Sequence, residues 1–352
     1  MKRSIVYIVL AISIVSGSIN LNVPIYAFVG LDIYNDTNIY NFSDSDLSRI
    51  SAAEGLLTDD ETRASAIIKP RITLEYGPYI NNQPLEIKLS ASPKFALHAK
   101  IKNTLSLSSS ARYKIKPYTY FRIWHSYIPS IYIRNFRDRD DLIHTGSFVD
   151  MNDGCWFAQE KLGLSYTTKI SNRSLITRSI ALISMYFENP FDEFNLRIID
   201  FGLGVKYLEN KSHTVSFESH ASYADNYTRL TGRRSVDSFD RGYTEIMFGY
   251  SYEKKNIFNN ESLRIGLSGR SIARKYISNF EQDPIHYRRY QNDNLFTFWI
   301  KLNTRFGISL KPFISYRIKD VSSPDEWVED LKGFDKYNIG IKLGRRMAFD
   351  IL

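Results

Sequence analysis

Residues 85–115, LEIKLSASPKFALHAKIKNTLSLSSSARYKI, keep one rule for about thirty positions. The odd positions carry Leu85, Ile87, Leu89, Ala91, Pro93, Phe95, Leu97, Ala99, Ile101, Leu105, Leu107, Ala111, Tyr113 and Ile115, broken only by Asn103 and Ser109. The even positions are polar or charged apart from Ala96. A period of two is the mark of an extended strand, because successive side chains leave opposite faces of the chain. At about 3.3 Å per residue one strand of this length would run roughly 100 Å, so the segment must fold back on itself. Its surroundings must be apolar on one side and polar on the other, which fits a soluble sandwich or a membrane barrel.

The rest of the chain separates these two. Alternation returns in IIDFGLGVKY, HTVSFESHASY, YTEIMFGYSY, LRIGLSGR and LKPFISYRI. The connections alternate in length. Short ones fall at Lys116 and Pro117, KISNRS, LENKSH, KKNIFNNE and NTRFG; long polar ones are RDRDDLIHTGSFVDMNDG, ENPFDEF, DNYTRLTGRRSVDSFDR, SNFEQDPIHYRRYQNDN and DVSSPDEWVEDLKGFD. Short turns at one end and long loops at the other are the habit of transmembrane barrels, and a sandwich has no reason to keep to it. Aromatics, 14% of the chain with 24 Tyr and 22 Phe, suit the girdles of such a barrel. The pattern predicts an all-β chain: a transmembrane antiparallel up-and-down β-barrel of about 12 strands. The count becomes 14 if IIKPRITLEYG is a strand and the chain breaks at Ser92 and Pro93.

The N-terminus supplies a compartment. Lys2 and Arg3 precede an apolar run from Ile5 to about Val15, then small and polar residues, with Ala27 as the expected last residue before cleavage. Residues 1–27 therefore read as a secretory signal, leaving a mature chain that begins near Phe28. Beyond it no apolar run is long enough for a membrane helix. The single Cys155 has no internal partner for a disulfide. Residues 28–66 hold eight acids against two bases. They read as an acidic periplasmic segment with a short helix capped by Ser45 or Asp46, and either a solvated linker or a plug drawn into a basic lumen. The barrel is expected to span residues 67–352.

The last strand, KYNIGIKLGRRMAFDIL, places Tyr337, Ile339, Ile341, Leu343, Met347 and Phe349 on one face, with Arg345 the exception. It resembles the C-terminal assembly signal of Gram-negative outer-membrane β-barrel proteins, porins among them, in which an alternating strand finishes on an aromatic. Phe349 would be that residue, with Tyr337, Ile339 and Ile341 before it; Asp350, Ile351 and Leu352 depart from the pattern. The resemblance covers roughly residues 67–349 in pattern alone. It implies residence in the outer membrane, with the lipid bilayer, lipopolysaccharide and the barrel-assembly machinery as partners.

The net charge of +8 is carried largely by the strands. Basic residues share the face opposite the apolar one, among them Lys88, Arg112, Lys206, Arg264, Arg270, Lys311, Arg317 and Lys342. A charge at mid-depth on the lipid side costs roughly 2 to 4 kcal/mol, so these side chains are expected to line a pore. Fewer acids accompany them; Glu218 is one. Such a wall concentrates anions and offers Arg to carboxylate or phosphate. The expected function is a passive channel for small polar or anionic solutes, loosely resembling the small channels for acidic oligosaccharides in strand count and basic lumen. The alternatives are an internal ion-pair network in a non-conducting structural or adhesive barrel, or a surface hydrolase. For the latter, Asp138, Asp140, Asp141 and His144 in one loop, and Asp283 and His286 in another, could activate water, but such spacings are common in polar loops. Arg229, Arg233, Arg234, Arg288 and Arg289 read as loop-tip charges, able to bind lipopolysaccharide phosphates, although solvated surface charge is the more common fate of such residues. No metal spacing, cofactor motif or nucleic-acid motif is present in the sequence.

Overall fold

In the computed structural model, which describes residues 19–20, 23–51, 62–135, 154–188, 191–209, 212–227, 241–258, 260–279, 281 and 285–349, fourteen antiparallel strands close into one barrel. They are β1 Ile25–Asp36, β2 Ser65–Tyr76, β3 Gln83–Ala96, β4 Thr104–Lys116, β5 Thr119–Asn135, β6 Gly154–Ser171 and β7 Ser174–Phe187. The second half holds β8 Leu196–Leu208, β9 His213–Asn226, β10 Tyr243–Ile257, β11 Asn260–Tyr276, β12 Tyr290–Asn303, β13 Ile308–Ser322 and β14 Phe334–Phe349. Each pairs with its sequence neighbour, and β14 closes the ring on β1, from Phe349 opposite Ile25 to Asn338 opposite Asp36.

The count is fourteen, the higher of the two expected values. One added strand comes from a stretch assigned to the leader and the acidic segment. β1 is hydrogen-bonded along both sides, so the barrel wall begins at Ile25 and the boundary at residue 67 moves upstream. A cut after Ala27 would strip Ile25, Tyr26 and Ala27 from their partners Leu74 to Tyr76 and Met347 to Phe349. The other is β2, which holds IIKPRITLEYG; the expected break at Ser92 and Pro93 is absent, since β3 runs through both and the long alternation folds back at residues 97–103. Period two survives this turn because Ala99 and Ile101 pack against loop residues Ile39, Tyr40 and Phe42 instead of lipid. The two prolines share one gap in the β2–β3 ladder, where Pro70 and Pro93 have no N–H to give; the Ser92 hydroxyl donates to the Pro70 carbonyl at 3.1 Å.

Six connections are tight, at residues 77–82, 117–118, 172–173, 209–212, 258–259 and 304–307, and lie at the same end as Ile25 and Phe349. Asn81 and Asn82 both take positive φ, the combination that lets a two-residue hairpin follow the strand twist. Seven longer connections lie at the other end, including 37–64, 136–153, 227–242, 277–289 and 323–333. The acidic stretch 37–64 thus joins β1 to β2 at the end opposite Ile25 and Phe349, and its helix α1, Asp44–Ser51, is capped by Ser43 in place of Ser45 or Asp46. Asp46 N–H donates to Ser43 Oγ at 3.1 Å and Ser43 N–H to Asp46 Oδ2 at 3.2 Å, a reciprocal box. α1 packs on α2, Glu326–Lys332, of the last loop.

The outer face is an apolar belt. Ile72, Leu74, Leu89, Leu162, Leu182, Phe201, Phe217, Phe248, Phe298 and Ile339 are all exposed there. Tyr118, Phe121 and Tyr166 rim the turn end, while Tyr186, Tyr223 and Tyr290 rim the loop end. Contiguous exposed apolar surface of this extent is incompatible with water and is what lipid requires. A closed barrel with short turns, long loops and an aromatic-edged belt is the outer-membrane type, and the chain belongs in that membrane.

Candidate functional site in the barrel interior

The face opposite the belt is polar, and two open cavities lie along it among the described residues. One, of about 450 Å³, is lined by Thr177, Ser179, Lys206, Ser216, Glu218, His220 and Arg270. The other, of about 440 Å³, lies between Lys161, Asp200, Glu245, Arg270 and Arg274 on one side and Ile183, Met185, Leu196 and Ile198 on the other. Each could hold roughly 15 waters at about 30 Å³ apiece. Side-chain bulk is reduced where it would block this space: Gly163 lies under Trp124 and Gly266 under Trp299, positions at which a Cβ would collide with the indole.

Antiparallel register sets the charges side by side. Glu75 receives Lys88 at 2.8 Å and Arg346 at 2.7 Å; Glu86 receives Lys88 at 3.0 Å and Arg112 at 2.6 Å. Asp32 holds Arg71 at 3.4 Å and Lys342 at 3.7 Å, Asp36 holds Lys336 at 3.1 Å, and Glu253 holds Arg264 at 3.4 Å. Glu245 pairs with Arg274 at 2.6 Å, and Asp293 is gripped by Arg317. Lys161, Lys206, Arg270, Lys311 and Lys319 meet no carboxylate within ion-pair distance among the described residues. Lys311 sits over the Trp299 ring at 3.8 Å and Lys342 over Phe313 at 4.9 Å.

The residues expected to line a pore therefore divide into two groups. Lys88, Arg112, Arg264, Arg317 and Lys342 are engaged with acids. Lys206, Arg270 and Glu218 border a cavity and Lys311 covers an indole. The sequence reading missed Arg71, Arg274 and Lys319, whose parity matches their neighbours. It also misplaced Arg289, which is 5% exposed and stacks at 3.9 Å over Tyr276, so it is no loop-tip charge. Extending the β12 alternation back from Asp293 and Gln291 would have found it. Arg288 is the residue that lies over Tyr287. Arg229, Arg233 and Arg234 lie outside the described residues, as do Asp138, Asp140, Asp141, His144 and Asp283.

His220, Asp200 and Ser222 meet on the interior wall, with Nδ1 to Oδ2 at 2.8 Å and Ser222 Oγ donating to Oδ1 at 2.6 Å. The hydroxyl is given to the carboxylate and not to the imidazole, so Asp200 clamps both neighbours and the serine is not activated by the histidine. His286 lies near the Phe194 and Tyr276 rings. No group of three or more metal-ligating side chains occurs among the described residues.

No family model and no curated protein matches the sequence. Solved structures with a similar course of the chain include a bacterial polysaccharide outer membrane secretin, at 8% identity, covering 93% of this chain and 99% of that one with a TM-score of 0.47. Another is the outer membrane channel DcaP of Acinetobacter baumannii, at 10% identity, 94% and 97% coverage and a TM-score of 0.47. A third is a TodX monoaromatic hydrocarbon channel, at 9% identity, 94% and 91% coverage and a TM-score of 0.47.

Proposed function

We propose that this barrel is a passive channel favouring small anionic solutes. The observation that carries the reading is the imbalance on the inner wall. Asp32, Asp36, Glu75, Glu86, Glu245, Glu253 and Asp293 are each matched by at least one Lys or Arg. Lys161, Lys206, Arg270, Lys311 and Lys319 remain over, five cations against the two lining acids Asp200 and Glu218 that have no Lys or Arg within ion-pair distance among the described residues. A surplus of fixed cations in a low-dielectric tube raises the local anion concentration. Mixed ion pairs along the rest of the wall give polar solutes hydrogen-bonding surface without a deep trap, which favours passage over retention.

Lys88, Arg112, Lys206, Arg264, Arg270, Lys311, Arg317, Lys342 and Glu218 act as the pore lining in this reading. The uncompensated Lys206, Arg270 and Lys311 set the sign of the preference. Single-channel recording of the purified protein in a planar bilayer tests it. Discrete conductance steps with an anion-selective reversal potential are expected. Folded protein that never conducts would reject the channel and turn attention to a structural or adhesive barrel working through its loops.

A further inference from the structure

We propose that the loop-side end of the interior contains a binding site for a phosphate group, built around Tyr276 by Arg241, Arg274, Arg289 and Lys319; the proposal rests on the reading of the interior as a solute path. The register brings the four together. Tyr276 N–H donates to the Arg289 carbonyl at 2.9 Å, placing Arg289 beside the last residue of β11. Arg274 lies opposite Gln291, and Lys319 opposite Asp293, on the adjoining strands. Arg289 stacks over the Tyr276 ring and Arg274 over the Tyr243 ring, each at 3.9 Å, and the two rings are 5.8 Å apart. Arg241 reaches in from the preceding loop, over Phe187 at 4.7 Å.

Two acids stand nearby, and both are spoken for: Glu245 by Arg274 and Asp293 by Arg317. Arg241, Arg289 and Lys319 have no carboxylate within ion-pair distance among the described residues. Arg289 is the telling member. It is 95% buried, by its 5% exposure, yet its Nε and Nη1 have no hydrogen-bond acceptor among the described residues. A buried guanidinium without an acceptor is costly, and an entering oxyanion relieves that cost. The cavity of about 440 Å³ reaches Arg241, Arg274 and Tyr276, so the site opens onto the interior. Three uncompensated cations match a group carrying about −1.5 to −2 charges better than a carboxylate, and planar Arg donors match its oxygens. Because the site faces inward, the phosphate belongs to a solute, free or esterified, and not to a lipid outside the barrel.

The test is inorganic phosphate added on the loop side during chloride conduction by the full-length protein, with phosphate titration calorimetry of the same protein in detergent. Saturable block and saturable binding are expected, with R289Q and K319Q each raising the half-saturating concentration at least tenfold. R305Q, in an exposed turn at the other end, should leave it unchanged. Heat-modifiable electrophoretic mobility verifies that each variant is folded. Conduction without saturable phosphate binding in the wild type would overturn the site and leave the channel standing. Equal affinity in the wild type, R289Q and K319Q would overturn it too. Saturable binding without conductance would overturn the channel while supporting the site.

Discussion

Arg317 on β13 holds Asp293 on β12 by two points, Nε to Oδ1 at 2.8 Å and Nη2 to Oδ2, so that neither charge is free to act on a passing ion. Arg270, two strands away from β13, has no such partner and borders both interior cavities. Formal charge and effective charge differ between these two arginines, and substitution should reveal it.

R270E should move the reversal potential in a KCl gradient toward cation preference, and K206E should do the same. R317E should move it less and destabilise the barrel more, because it sets two carboxylates side by side. The selectivity effect should be strong at 0.1 M salt, where the screening length is about 10 Å, and mostly lost at 1 M, where it is about 3 Å. Equal shifts in R270E and R317E would contradict the division into engaged and free cations.

Lys102 is 8% exposed, lies 4.9 Å from the Tyr40 ring centroid and 4.8 Å from that of Tyr132, and donates to the carbonyls of Tyr132 and Ile133 at 3.3 and 2.8 Å. It fastens the loop after β1 to β5. K102M keeps the stem but removes the charge, at a cost of about 2 kcal/mol for a desolvated contact of this kind. Limited proteolysis of intact cells should cut this loop faster in K102M, with the barrel still resistant to heat in detergent. Unaltered cleavage would show that the lysine is not the fastening.

Mature protein should begin upstream of Ile25. The apolar run ends near Val15 and is followed by Ser16, Gly17 and Ser18, small residues of the kind leader peptidases accept, and Ile19 and Asn20 already pair with Ile80 and Tyr79. N-terminal sequencing of protein extracted from membranes should read from Ile19. A start at Phe28 would mean that β1 functions as a nine-residue strand.

F349A should slow insertion several-fold, whereas deleting residues 350–352 should be tolerated. Phe349 is the final paired residue of β14, opposite Ile25, with its ring on the lipid side. Pulse-labelled cells followed by heat-modifiable mobility would measure the rate. Wild-type kinetics in F349A would remove the residue from the assembly signal formed with Tyr337, Ile339 and Ile341.

Alternation was enough to read the barrel as a class and to divide the strands it revealed into two faces, because lipid enforces it along the wall. It overran the turn at residues 97–103, since Ala99 and Ile101 serve a local cluster with the same period. β1 was hidden because its apolar residues Val29, Leu31 and Ile33 follow closely on the apolar N-terminal run and its acids Asp32 and Asp36 look like the start of a solvated tail, although they face Arg71, Lys342 and Lys336. Interior residues could be named from parity, but which cations are neutralised depends on partners up to hundreds of positions away, as with Lys342 and Asp32. Only the register supplies that.

The pairing of Ile25 with Phe349 also dictates an order of events. The earliest strand of the wall is the last to be satisfied: one edge of β1 stays open until β14 has been made. Every shorter nascent chain therefore carries two unpaired edges, each able to recruit a stranger's strand. Closure is all or nothing, so a nonsense mutation anywhere before β14 should yield aggregated or degraded chains instead of a smaller working pore.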